Sequence, residues 1–133
     1  YVDIPKGVDQ NEIIMVEGKG NINENGMQGD VKVYINVENT HNFARNGLDL
    51  VYLKKITLKQ ALVGFKFDIE HLNGKTYTIN NNNGKVICPG YKSIINGMGM
   101  QRGDKTGRLI IEFSLEFPKN LSEETRKKLN GIL

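Results

Sequence analysis

The chain has no tryptophan, one cysteine, two histidines and three prolines among its 133 residues. Each scarcity removes a class of explanation. A lone thiol, Cys88, can build neither a disulfide framework nor a thiolate metal site within this chain; in Val86-Ile87-Cys88-Pro89 it reads as a small buried residue. His41 and His71 lie far apart and lack the i, i+4 spacing of a helical metal motif. No run approaches the ~20 apolar residues that span a bilayer, and no secretory signal pattern opens the chain. Charge of one sign is also missing. Eighteen basic residues are interleaved with fifteen acidic ones, for a net +3, so the basic stripe with stacking aromatics that a nucleic acid would need is not there.

What is there is a succession of short alternating segments punctuated by glycine. Apolar residues make up 38 % of the chain and charged residues 25 %, which fits a globular protein with a real core. Tyr1-Val2-Asp3-Ile4 reads as a strand, so the chain is expected to begin inside a domain. Glu12 to Val16 is a second strand, and a polar Asn/Gly-rich loop then runs to Gly29-Asp30. Val31, Val33, Ile35 and Val37 alternate with Lys32, Tyr34 and Asn36, the pattern of a strand with one face buried.

The stretch His41 to Leu50 follows, a polar connector with a turn signal at Asn46-Gly47 and one large apolar side chain, Phe43. Such an aromatic folds back onto the nearest core or walls a binding pocket on a rigid scaffold. Beyond it, Leu50 to Ile56 is again a strand. Thr57 to Gly64 has the signature of a short capped helix, with Thr57 at the cap, Gln60 three residues on and Gly64 at the end. One or two turns cannot stand alone, so Leu58, Ala61 and Leu62 must dock on the sheet. Phe65 to Glu70 and Lys75 to Ile79 form a hairpin around Asn73-Gly74.

A pattern then recurs. Glu12-Ile13-Ile14-Met15-Val16-Glu17-Gly18-Lys19-Gly20 aligns with Tyr91-Lys92-Ser93-Ile94-Ile95-Asn96-Gly97-Met98-Gly99. Each follows a Pro/Gly turn and precedes a glycine that opens a long strand, Val31 to Val37 or Leu109 to Phe117. Duplicated β-domains explain this better than a solenoid. Pro118 ends the last strand, and a helix follows: Ser122 can cap it, Glu123 and Glu124 suit its N-terminal dipole, and Arg126, Lys127 and Lys128 its C-terminal half. Leu129, Ile132 and Leu133 make an apolar tail that must either fold back or meet a second subunit.

No catalytic set emerges. Ser93 and Ser114 have no histidine near them in sequence, and Gly18-x-Gly20 and Gly97-x-Gly99 neither complete G-x-G-x-x-G nor open a helix. A non-enzymatic protein without cofactor or metal is expected. Its exposed sheet edges suit the capture of an extended peptide by strand addition.

Taken together these residues resemble the C-terminal substrate-binding region of DnaJ-type, 40-kDa heat-shock co-chaperones. The family pattern H-P-x-F-x-R-x-G-x-D-L corresponds to His41-Asn42-Phe43-Ala44-Arg45-Asn46-Gly47-Leu48-Asp49-Leu50, one residue shorter before Phe43 and without the proline. Ile56-Thr57-Leu58 through Ala61-Leu62-Val63-Gly64 resembles the family's helix, and Leu72-Asn73-Gly74-Lys75 its turn. Pro89-Gly90, Gly97-Met98-Gly99-Met100, Arg102-Gly103, Gly107-Arg108-Leu109-Ile110-Ile111 and Phe117-Pro118 match further landmarks.

The resemblance implies a mainly β architecture of two related β-sandwich domains, the first truncated, with short helices and a terminal dimerisation helix. Residues 1–44 would be the second half of the first domain, 45–119 the second domain and 120–133 the helix. It implies a co-chaperone that binds unfolded polypeptide, with Phe43 in the apolar pocket, and that assists a 70-kDa heat-shock chaperone. It also implies a homodimer through Leu129, Ile132 and Leu133, in a cytoplasmic setting or, alternatively, the lumen of the endoplasmic reticulum. Arg45 and Asp49 are expected to form an ion pair that holds the joint between the two β-domains. The competing reading is a generic β-sandwich module for carbohydrate or adhesion. Five tyrosines spread along strands give it little to stack a sugar on.

Overall fold

Alternation at period two dictates most of what the chain becomes. The structure, a computed structural model, describes residues 1–39 and 41–133. In chain order its elements are β1 (Ile13–Val16), β2 (Val31–Tyr34), β3 (Phe43–Asn46), β4 (Asp49–Thr57), α1 (Leu58–Val63), β5 (Lys66–Glu70), β6 (Thr76–Asn80), β7 (Lys92–Arg102), β8 (Lys105–Glu116) and α2 (Glu123–Ile132). The fold is mainly β with a terminal helix. Strands β3-β4-β8-β7 form one four-stranded sheet in that order; β1-β2 and β5-β6 are two-stranded. The chain divides into two compact units, Tyr1–Tyr52 with Ser93–Ile111, and Leu53–Lys92 with Glu112–Leu133.

In the first unit, β1 and β2 pair antiparallel with Ile13 opposite Tyr34 and Val16 opposite Val31. The pairing extends past β2 through Ile35 N–H to Glu12 O, 2.9 Å, and Asn11 N–H to Ile35 O, 3.0 Å. The expected one-face burial of this strand is only partial: Val31, Val33 and Ile35 are half-buried, and Val37 is exposed. Tyr1 to Ile4 is not a strand. Tyr1, Val2 and Ile4 are exposed, and Pro5, which cannot donate to a ladder, opens a turn closed by Val8 N–H on Pro5 O. Among the described residues the buried apolar side chains of this unit are Phe43, Leu50, Leu109 and Ile111.

The second unit has the richer core, made of Ile56, Ala61, Phe65, Ile69, Ile87 and Phe113. Phe113 meets Phe65 edge-on at 5.6 Å and stacks with Tyr91 at 6.1 Å, while Phe65 stacks with Phe67 at 5.9 Å. Such pairs add to burial because ring edges are positive and faces negative. Helix α1 forms as its sequence dictates: the Thr57 hydroxyl accepts from Gln60 N–H, 3.2 Å, and the Gln60 side chain accepts from Thr57 N–H, 2.9 Å, a complete capping box. Of its three expected docking residues Ala61 is buried, Leu58 half-buried and Leu62 exposed. The β5-β6 hairpin pairs Lys66 with Asn80 and Glu70 with Thr76. Cys88 is exposed, contrary to expectation. Ile87 takes the inward position in that segment, anchored by its N–H on Ala61 O at 3.1 Å, and its neighbour is left outside.

Candidate functional site

The stretch His41 to Leu50 is not a loop. It contains β3 and the turn into β4, with Phe43 opposite Tyr52 and Asn46 opposite Asp49. That register leaves Gly47 and Leu48 as a two-residue hairpin loop. Gly47 has φ +62° and Leu48 does not share the left-handed region, the arrangement of a II′ turn with glycine at its first central position. Phe43 is 5 % exposed and its ring lies 5.5 Å from that of Tyr52 at a tilt of 49°. Asn39 fixes the backbone beneath it, donating from Nδ2 to Phe43 O at 2.6 Å.

The tip of the hairpin rests on two glycines. Leu48 O accepts from Met100 N–H at 2.7 Å. A Cβ added at Gly99 or Gly107 would collide with that same Leu48 carbonyl, so neither position accepts a side chain without moving backbone. Asp49 then caps the contact, its carboxylate accepting from Arg108 N–H at 2.8 Å and from the Arg108 guanidinium at 2.9 Å. The Arg108 side-chain hydrogen bond, with help from its backbone N–H, holds the Asp49 carboxyl below its ordinary pKa; the same pairing raises that of Arg108.

Arg45 does not pair with Asp49. Its guanidinium turns instead to the segment that follows Pro5, donating to Gly7 O and Val8 O at 2.6 Å each and to Gly47 O at 2.8 Å, with Asp9 3.7 Å away. The reason is geometric. Residues 45 and 49 flank a two-residue turn, and each finds a closer partner outside the hairpin. Nearby, Glu12 accepts from both terminal nitrogens of Arg102, one of them at 2.7 Å. That bidentate bond first, and then Asp9 N–H, lowers the pKa of Glu12. Lys6 Nζ adds a bond to Gln101 Oε1 at 2.8 Å. Glycine again permits the approach, since Gly7 lies at φ +84° with no room for a Cβ beside Gln101 O.

With this geometry in place the comparisons are decisive. A family model described as the DnaJ C terminal domain matches residues 1–118. The chain belongs to the DnaJ C-terminal domain family. It is 37 % identical over 137 residues to the mitochondrial protein import protein MAS5 of Saccharomyces cerevisiae, covering 99 % of this chain and 33 % of the relative. It is 33 % identical over 135 residues to chaperone protein dnaJ 3 of Arabidopsis thaliana, 99 % of this chain and 32 % of that protein. A DnaJ homolog subfamily A member 1 homolog of Dictyostelium discoideum is 33 % identical over 132 residues, 98 % and 29 % respectively. This DnaJ C-terminal region therefore spans about a third of the length of the curated relatives it matches.

Of the three residues expected at a dimer contact, Leu129 and Ile132 lie on α2 and Leu133 is its C-cap. Ser122 caps the helix, accepting from Thr125 N–H at 3.2 Å. Leu129 is half-buried and lines an apolar groove of about 560 Å³ with Leu58, Leu62, Val63, Phe117 and Leu121. Ile132 and Leu133 are 79 % and 86 % exposed. The tail thus divides: Leu129 folds back, while the last two residues do not. His71 is half-buried, its Nδ1 accepting from Asn73 N–H at 3.2 Å and its ring edge-on to Tyr77, and His41 is exposed elsewhere. Among the described residues no helix is long and apolar enough to cross a membrane.

What sequence reasoning missed is the set of partners: Gly7, Val8, Glu12, Leu48 and Arg108. The signal was partly visible, because Gly99, Arg102, Gly107 and Arg108 all fall in the landmarks that carried the resemblance.

Proposed function

We propose that this DnaJ C-terminal region binds unfolded polypeptide, dimerises through its terminal helix, and serves a 70-kDa heat-shock chaperone as a co-chaperone. The observation that carries the reading is the family match over residues 1–118, which takes in the whole hairpin with its buried Phe43. In this reading residues 1–44 are the latter half of one β-domain, 45–119 a related second domain and 120–133 the dimerising helix. The client lies as an added strand over an apolar pocket to which Phe43 contributes. Ile132 and Leu133 meet a second copy, an assignment favoured by their exposure at the end of a capped helix. The compartment is the cytoplasm.

The test uses the full-length protein. Phe43→Ala is expected to weaken suppression of aggregation of an unfolded client while the fold persists; a loss of about 3–5 kcal/mol in stability with unchanged client holding would make Phe43 plain core and end the pocket assignment. Ile132→Asp with Leu133→Asp is expected to give a folded monomer by sedimentation. A dimer that survives the pair of substitutions overturns the helix assignment.

A further inference from the structure

Phe43 and Arg45 stand two residues apart on β3 and so project from the same face of the strand. Arg45 is the polar half of that face. Its side chain is only 15 % exposed and makes three hydrogen bonds to main-chain carbonyls, those of Gly7, Val8 and Gly47. Two of the three belong to a segment some forty residues earlier in the chain. The third belongs to the turn that ends the strand. A planar guanidinium suits this task because its fixed fork of five N–H groups can reach several acceptors at once, whereas an ammonium is a single point on a flexible stem. Asp9, at 3.7 Å, supplies charge without a hydrogen bond.

The acceptors are themselves held in place. Val8 N–H closes the turn on Pro5 O at 3.2 Å, and the positive φ of Gly7 aims its carbonyl while its missing Cβ lets the chain lie against Gln101. Asn39 holds the backbone of Phe43 from the other side. The turn of residues 5–9 is thereby fastened to the strand that carries Phe43, with little buried apolar surface along it, since Val8 is half-buried and Ile4 exposed.

We propose that Arg45 is a positioning residue for polypeptide binding: by gripping the Gly7 and Val8 carbonyls it fixes the 5–9 turn beside the face of β3 that carries the buried Phe43. This rests on the reading of Phe43 as part of a client site. Arg45 does not touch the client. Its part is to keep that face in one arrangement, so that binding does not have to order it.

Arg45→Lys and Arg45→Gln in the full-length protein test this with two readouts, hydrogen exchange of the amides of residues 6–12 and the Kd for a permanently unfolded probe, reduced carboxymethylated α-lactalbumin. Both variants are expected to exchange about tenfold faster at residues 6–12 and to bind the probe about tenfold more weakly, while exchange over Phe65 to Ile69 and over the Phe113 region of β8 stays as in the parent protein. Asp9→Asn is expected to change either readout by less than about twofold, because the carbonyls do the holding. Unchanged exchange at 6–12 overturns the grip, and so does full rescue by lysine, which would show that charge alone suffices. Faster exchange with unchanged probe affinity overturns the positioning role. If the parent protein does not bind the probe, the client reading fails and takes the positioning role with it, while the grip on residues 7 and 8 still stands or falls on the exchange data.

Discussion

The two compact units are held by different physics. The second unit is a conventional apolar core, in which Phe65, Phe113, Ile69 and Ile87 remove large surfaces from water and the rings meet edge to face. The first unit buries fewer large side chains, and its most telling contacts are close backbone approaches and charge-assisted hydrogen bonds: Leu48 over Gly99 and Gly107, Asp49 on Arg108, Glu12 on Arg102, Arg45 on three carbonyls. Apolar burial is non-directional and tolerates repacking; glycine contacts and forked hydrogen bonds are directional and do not. The difference teaches where to look for a family signature. In this chain the directional contacts of the first unit involve several of the motif residues, Arg45, Asp49, Gly99, Arg102, Gly107 and Arg108, because there a single side chain has no substitute.

The comparison can be broken at its apolar end first. Phe113→Ala removes the ring shared by Phe65, Phe67 and Tyr91 and should cost about 3–5 kcal/mol in urea unfolding, with amide protection of the β5-β6 hairpin lost before that of the β3-β4 hairpin. A cost below about 1 kcal/mol would show that the ring cluster is not what holds the second unit. At the directional end, Gly107→Ala should cost about 1–3 kcal/mol, since its methyl group would press into the Leu48 carbonyl and lift the hairpin from its seat. Gly97 is a useful control. Its φ is +76° but a Cβ there meets open space, so Gly97→Ala carries only the left-handed penalty of about 1–2 kcal/mol. If the two variants behave alike under thermal unfolding while the Met100–Leu48 hydrogen bond keeps its exchange protection in both, close approach is not the reason for glycine at 107.

The second unit was the more legible of the two from sequence, and for a physical reason. Capping boxes and Asn-Gly hairpins are local, so α1, β5 and β6 could be read off Thr57, Gln60 and Asn73-Gly74 without knowing any partner. The terminal helix was legible for the same reason, through Ser122. The joint was not. Arg45 and Asp49 are four residues apart and invite each other on paper, yet each is claimed by a group dozens of residues away, Gly7 and Arg108. Nothing in the alternation says that Gly99 and Gly107 face one carbonyl. Tyr1 to Ile4 had the right pattern for a strand and lacked only a partner, which a pattern cannot supply. Only the family landmarks marked Arg45, Asp49, Gly99, Gly107 and Arg108 in advance, without saying what each one touches.

A smaller effect separates the ionic contacts of the first unit by pH. Asp49 and Glu12 both have pKa values lowered in the folded protein, each chiefly through an arginine side chain. A lowered carboxylate pKa favours the fold once the pH is above the unfolded value of about 4, and that contribution disappears as the pH falls through the lowered values. Asp49→Asn should therefore unfold at lower urea concentration than the parent protein at pH 7 and converge toward it in acid, below about pH 4. A constant gap between the two across that range would mean that the amide loses shape complementarity alone and that charge at Asp49 does not matter.

The weakest expected effect is the sharpest control on the comparison. The second unit also carries ion pairs, Lys55 with Glu116 at 3.5 Å and Lys92 with Glu112 at 3.3 Å, but among the described residues no main-chain donor joins either of them in the way Arg108 N–H joins Asp49. The Lys55–Glu116 side chains are 69 % and 59 % exposed, where solvent and salt screen most of the attraction and two flexible chains must be ordered to gain it. Glu116→Gln should accordingly leave the urea midpoint at pH 7 unmoved within error, and adding salt should shift parent and variant equally. If Glu116→Gln instead destabilises as much as Asp49→Asn does, then geometry at Asp49 adds nothing to a bare ion pair, and the contrast between a directional first unit and an apolar second one collapses.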